Sequence, residues 1–256
     1  MKKDYSDFTL ILAFQRSGTT ALRSIFEASD KYFNFGEIFA PQRTQMELGV
    51  YNYFEKVIQQ NSKLVYPLFE NRVAFFDLYF EALRNESNRH NKKPLIDVKY
   101  DVLYNLHTFF MSEDVEPFFI KYCKMRKVKI VHLLREDSLE IALSLAIARK
   151  NKQYHYTDSE SPIGNLTLDK KDVFRFYQNH IKQKNDVQSF LETSPHLEIS
   201  YEKAFKKNSL TDDTISLLSS FININLKNIE SNYVKKAKSN KELVSNFHEI
   251  RNFIFK

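Results

Sequence analysis

Glycine is scarce in this sequence. The chain has four glycines in 256 residues, where average usage of about 7% would give roughly 18. That scarcity excludes Gly-rich loops, collagen-like repeats and flexible linkers. It leaves Gly18, Gly36, Gly49 and Gly164 as positions where a missing side chain can have a specific use. Tryptophan is absent, and the single cysteine, Cys123, excludes an intramolecular disulfide and any multi-cysteine metal site. One cysteine fits a reducing compartment, so the expected location is the cytoplasm. No apolar run approaches the ~20 residues of a membrane span. The run Phe8–Phe14 is too short for a signal-peptide core plus cleavage site, and Arg16 follows it almost at once, so it reads as a strand.

The rest of the composition is that of a globular protein, with 43% hydrophobic and 27% charged residues. Lys and Arg number 38 against 32 Asp and Glu, a formal charge of +6. The isoelectric point near 9.1 points to a polyanionic partner such as a nucleotide, an anionic lipid or nucleic acid. Because lysines are spread along the whole chain, solvated surface explains the same excess, and charge alone selects none of these.

Short apolar runs alternate with helical stretches. Phe8–Phe14, Pro94–Val98, Val128–Leu134 and His196–Ser200 read as strands, with a shorter one at Tyr32–Phe35. Thr19–Ser29, Gln45–Asn61, Asn71–Asn88, Asp137–Arg149, Lys170–Leu191 and Leu210–Phe221 read as helices. The alternation predicts an α/β fold in which a mostly parallel central sheet is flanked by helices on both faces and joined by right-handed crossovers. Residues 1–256 form one domain on this reading. Asn151–Leu168, polar and carrying Pro162 and Gly164, is expected to be a mobile loop or lid.

Strand FTLILAF runs directly into Gln15-Arg16-Ser17-Gly18-Thr19-Thr20 and then a helix with an apolar stripe at Leu22, Ile25 and Phe26. A strand, a tight turn and a helix N-terminus gather unpaired N–H groups and a positive dipole end at one point. Gly18 lets the backbone approach a ligand. The Ser17, Thr19 and Thr20 hydroxyls and the Arg16 fork suit a phosphate or sulfate. The loop lacks both the first Gly and the Lys of a Walker A motif. The bland alternative is an N-cap cluster beside a surface arginine.

A second basic centre follows the strand Val128–Leu134. Arg135 stands past its end, Asp137 and Glu140 resemble a capping box, and Ser144 falls on the inward stripe of the next helix. Arg135 and Ser144 are thus candidates to meet one anion. Otherwise Arg135 pairs with a carboxylate and Ser144 bonds back to its own helix.

The loop Arg16–Thr20 resembles the 5′-phosphosulfate loop of sulfotransferases that use 3′-phosphoadenosine 5′-phosphosulfate (PAPS). Gln15 before the Arg is similar to the bacterial trehalose sulfotransferase group. Arg135 and Ser144 resemble the family's 3′-phosphate pair, one residue further apart than in cytosolic members. That spacing, with Leu145-Ala146-Ile147-Ala148-Arg149, resembles the bacterial carbohydrate group that includes trehalose and Nod-factor sulfotransferases. The segments 197–202 and 244–249 resemble the family's late Tyr-Glu strand and its Asn-aromatic segment near the C-terminus. The resemblance implies a three-layer, P-loop-like domain, PAPS as donor, 3′-phosphoadenosine 5′-phosphate (PAP) as product, no metal and a carbohydrate or glycolipid acceptor. No nucleic-acid partner or membrane span is expected. Oligomeric state is not legible.

Within that resemblance Arg16 and the Ser17–Thr20 backbone stabilise the leaving phosphate. Glu37, in Phe35-Gly36-Glu37-Ile38-Phe39, stands as a lone carboxylate among aromatics, where proton affinity can rise. The family's Glu-x-Phe segment implies Glu37 as general base, aimed by Gly36; the plain alternative is a solvent-facing Glu. Lys99 matches a recurring family Lys and is a candidate contact to sulfate or acceptor, or else a surface lysine. None of the seven histidines has nucleophile or metal spacing, His132 reads as a satisfied core residue, and Cys123 as inert. Two other classes stay open: a P-loop-related small-molecule kinase and a non-catalytic nucleotide-binding protein.

Overall fold

Five short strands pair side by side in a computed structural model that describes residues 3–43, 45–66, 68–109, 116–151, 165–206, 209–226, 229 and 240–256. They are β1 (Thr9–Ala13), β2 (Tyr32–Gly36), β3 (Lys93–Lys99), β4 (Lys129–Leu134) and β5 (His196–Ser200). Their order is β2-β3-β1-β4-β5 and all four pairings are parallel. The first strand of the chain therefore lies at the centre, and the order reverses on either side of it. Parallel strands need crossovers, which helices supply.

Those helices are α1 (Thr19–Ala28), α2 (Val50–Gln60), α3 (Phe69–Arg89), α4 (Tyr100–Phe109), α5 (Phe118–Met125), α6 (Ser138–Asn151) and α7 (Lys170–Leu191). Beyond β5 come α8 (Tyr201–Ala204), a small antiparallel pair β6 (Phe205–Lys206) and β7 (Ser209–Leu210), α9 (Asp212–Ile222), α10 (Asn240–Leu243) and α11 (Phe247–Ile254).

The pleat of β1 divides the core. Leu10 and Leu12 join Ile96, Val98 and Ile130 in one cluster with α3, α4, α5, α6 and α7. Ile11 and Ala13 join Leu95, Val131 and Leu133 in another, with α1 and α9. Both faces of the sheet are covered, so β1 is buried along its whole length. Phenylalanine and tyrosine fill the first cluster: the rings of Tyr5, Phe76, Phe80, Phe119 and Tyr122 meet at tilted and edge-on angles. Cys123 is buried there, and burial pushes its thiol proton affinity well up. A third cluster joins α6 to α7, α10 and α11. This explains why α6 is buried all round.

Several boundaries differ from the sequence expectation. The helix expected over Gln45–Asn61 starts at Val50, because Gly49 is its N-cap and packs against the Arg43 carbonyl. A Cβ at Gly49 would lie 2.3 Å from that oxygen. Leu210 pairs with Phe205 rather than opening a helix, and α9 begins two residues later. Helices α4 and α5 were not expected. Of the expected loop Asn151–Leu168, Asn151 ends α6 and Leu166 bridges to Val244. The Leu168 N–H donates to Asn246 Oδ1 at 3.0 Å. Residues 152–164, with Pro162 and Gly164, lie outside the described residues.

Candidate active site

The loop after β1 turns through two left-handed residues, Arg16 (φ 66°) and Gly18 (φ 88°), before α1 starts. Gly18 is required twice over. Its φ disfavours any side chain, and a Cβ there would sit 2.3 Å from the Tyr201 ring. Gly18 caps α1 by position and contributes no side-chain cap; the Ala21 N–H bonds back to the Gly18 carbonyl at 3.1 Å, so the N–H groups of Thr19 and Thr20 are the ones offered at this end of the helix. Ser17 is buried, and its Oγ has no hydrogen-bond partner. A buried hydroxyl with no partner costs about 1–3 kcal/mol, a cost that an anion accepting its proton would remove. Thr19 is buried and Thr20 half-buried in the same first turn.

The two basic centres meet at this loop. Arg16 Nε donates to Ser144 Oγ at 3.0 Å, across 128 residues of sequence. Arg135 Nη1 donates to the Arg16 carbonyl at 2.7 Å. The Arg135 guanidinium also lies over the Tyr201 ring, 5.1 Å from its centroid, and its Nε stands 4.0 Å from Glu202 Oε1. Glu202 accepts the Glu136 and Asp137 N–H groups, which ties the end of β5 to the entry of α6. Asp137 caps α6 by accepting the Glu140 N–H at 2.9 Å. The reciprocal half of the expected capping box is not made: the Glu140 carboxylate turns to the Asn240 N–H instead.

On the other side of β1, Lys99 at the end of β3 is buried rather than a surface lysine. Its Nζ donates to Asp97 Oδ1 and Thr19 Oγ1, both at 2.6 Å, and pairs with Glu37 Oε1 at 3.4 Å. Asp97 also faces Arg23, 3.4 Å away. Glu37 is therefore not the lone carboxylate its aromatic neighbours suggested, since an ammonium stands beside it. Gly36, at φ 65°, follows a break in the β2–β3 register and turns the chain so that Glu37 faces this cluster.

Sequence reading passed over Arg23, Asp97, Asp101, Tyr201 and Glu202 as site residues. The signal for Asp97 was present: in Ile96-Asp97-Val98-Lys99 two opposite charges alternate within an otherwise apolar strand. Asp101 accepts from Gln15 Nε2 at 2.9 Å, while its other oxygen, Oδ1, is buried without a partner. Burial raises its proton affinity and the Gln15 amide partly offsets that. Asp101 and Gln15 line a cleft of about 280 Å³ with Phe14, Leu145, Phe176 and Asn179.

All of these groups gather where β1, β3 and β4 end, beside the reversal in strand order, which is the usual ligand position of an open parallel α/β sheet. The fold is a three-layer, P-loop-like α/β domain. A scan against protein-family models gave no match, and a search of curated proteins gave none. Among solved structures the chain is similar to the sulfotransferase domain of the Synechococcus PCC 7002 olefin synthase. That likeness has 13% identity and a TM-score of 0.44, and covers 87% of this chain and 75% of the other. It is also similar to retinol dehydratase in complex with androsterone and inactive cofactor PAP, at 13% identity and a TM-score of 0.36. There the alignment spans 99% of this chain and 65% of that one. At these values neither likeness bears on function, which has to be read from the side chains.

Proposed function

We propose that the chain is a PAPS-dependent sulfotransferase, one domain that transfers a sulfuryl group to a hydroxyl of a carbohydrate or glycolipid acceptor. The observation that carries this reading is the junction of Arg16, Arg135 and Ser144 at the ends of β1 and β4, beside a buried Ser17 hydroxyl with no partner. Two guanidinium groups, a helix N-terminus and an unpaired buried donor fit a ligand with more than one anionic group.

In this reading the bound donor supplies an activated sulfuryl group, so neither redox chemistry nor a metal is needed for the transfer. Arg16 and the backbone of Ser17, Gly18, Thr19 and Thr20 bind the 5′ anionic end and neutralise charge that grows there. Arg135 and Ser144 hold the 3′-phosphate. Glu37 takes the proton of the acceptor hydroxyl. Lys99 bridges Thr19 and Glu37, holding loop and base at a fixed separation, and its charge faces the reacting groups. As in phosphoryl transfer, most of the rate enhancement comes from positioning and electrostatics.

The test is a screen of sugar and glycolipid acceptors with radiolabelled PAPS, using the wild type and Glu37→Gln. Label should reach an acceptor with the wild type and fall about 100-fold or more in the variant, with PAP affinity unchanged. Transfer to no acceptor, or equal transfer by Glu37→Gln, contradicts the reading. Magnesium-dependent turnover of ATP would support the kinase alternative instead.

A further inference from the structure

We propose that His132, His196 and Glu198 form a binding site for a borderline divalent cation, Zn²⁺ foremost, on the β4–β5 edge of the sheet. The proposal is independent of the sulfuryl-transfer reading. No sequence spacing announces the site, because His132 stands 64 residues before His196. Strand register assembles it. In β5 His196 and Glu198 are two apart and share a face, and parallel pairing sets His132 of β4 directly opposite Glu198. One nitrogen of each imidazole and a Glu198 oxygen lie within 4.8 Å of one another. A tetrahedral Zn²⁺ with ligands near 2.1 Å needs them about 3.4 Å apart. The movement falls to the half-buried His196 and the partly exposed Glu198 side chain, while His132 is fixed in the core.

Each of the three groups has a polar partner outside the trio, as metal ligands do. His196 Nδ1 lies 2.8 Å from the Ser194 carbonyl. A carbonyl only accepts, so Nδ1 carries the hydrogen and Nε2 keeps its lone pair. Gln188 Nε2 donates to Glu198 Oε2 at 3.2 Å. His132 Nε2 pairs with the buried Tyr100 hydroxyl, which leaves Nδ1 facing Glu198 Oε2 at 3.0 Å. Without a cation, that Nδ1 must hold the ring proton against the carboxylate. When a cation binds at Nδ1, the proton moves to Nε2, where the Tyr100 oxygen accepts it; the ring stays neutral and no net proton is released from it. Two imidazoles and one carboxylate suit Zn²⁺ rather than Mg²⁺ or Ca²⁺. Three protein ligands leave a fourth position for water on the exposed side of Glu198. The bound ion would tie the edge strand β5 to β4, just ahead of Tyr201 and Glu202.

The experiment is a calorimetric titration of the metal-stripped full chain with ZnCl₂, repeated with CoCl₂ to read visible absorption. Wild-type protein should bind one ion per chain, with the Co²⁺ bands of a tetrahedral site. His196→Ala and Glu198→Gln should each weaken binding at least tenfold, and Gln188→Ala about tenfold. These variants alter the edge strand and helix surface, avoiding the core position His132. Zn²⁺ should raise the thermal midpoint of the wild type but not of His196→Ala. Absence of stoichiometric binding, or binding that is unchanged in His196→Ala, overturns the proposal whatever the PAP titration shows.

Discussion

At the scale of single residues, the glycine that matters most is Gly18. Its left-handed φ and its contact with the Tyr201 ring both exclude a side chain. Gly18→Ala should lower unfolding free energy by about 2–4 kcal/mol, combining αL strain with overpacking. Urea denaturation of the single mutant and of Gly18→Ala/Tyr201→Ala separates the two parts: removing the ring should recover the packing share and leave the strain. Asp101 makes a different prediction. Burial holds its folded-state proton affinity above the unfolded value of 3.8. A carboxyl raised in this way favours the folded state below its unfolded pKa, and that contribution is lost as pH rises through the folded value. Asp101→Asn should therefore be more stable than wild type at neutral pH. The difference should shrink as pH falls into the carboxylate range. Denaturation midpoints taken across that range check the sign. A difference that grows on acidification would refute this account of Asp101.

At the scale of elements, what the sequence revealed depended on how cleanly periodicity was bounded. Helix α7 was expected over Lys170–Leu191 and has those bounds, because Asp169 caps it in sequence and in space. Helix α4 escaped notice because it follows β3 with no Gly or Pro between Lys99 and Tyr100, and the eight-residue α5 is too short to show a clear period. Strand–loop–helix at Phe14–Thr20 was legible from chemistry alone. The contact of Arg16 with Ser144 was not, because it depends on β1 pairing with β4. The burial of Lys99 was likewise hidden, since only the approach of β3 to the start of α1 brings Thr19 within reach. Element ends carry their own prediction. Asp137 caps α6 through the Glu140 N–H, so Asp137→Ala should cost about 1 kcal/mol. Thermal or urea unfolding reads that loss. Because the cap sits beside Glu202 and Arg135, weaker nucleotide binding is expected with it.

At the scale of the whole molecule, a doubly covered parallel sheet places the carboxyl ends of β1, β3 and β4 together, and the proposed donor-binding groups gather there, Ser144 reaching in from α6 to Arg16. The glycine shortage takes on a local meaning in that architecture. Gly18 and Gly36 both hold left-handed turns beside the candidate chemistry, and Gly49 makes room for the Arg43 carbonyl. Among the described helices none is long and apolar enough to cross a membrane. In the proposed function, Arg16, Arg135 and Ser144 form a single site for a nucleotide with two anionic ends. Calorimetric titration of PAP into wild type and Arg135→Ala, with circular dichroism to verify the fold, tests it most directly. The wild type should bind stoichiometrically and the variant should lose about 10- to 100-fold in affinity, the value of one or two charge-assisted hydrogen bonds. No binding by the wild type at high micromolar concentration, or equal binding by a correctly folded Arg135→Ala, would contradict it.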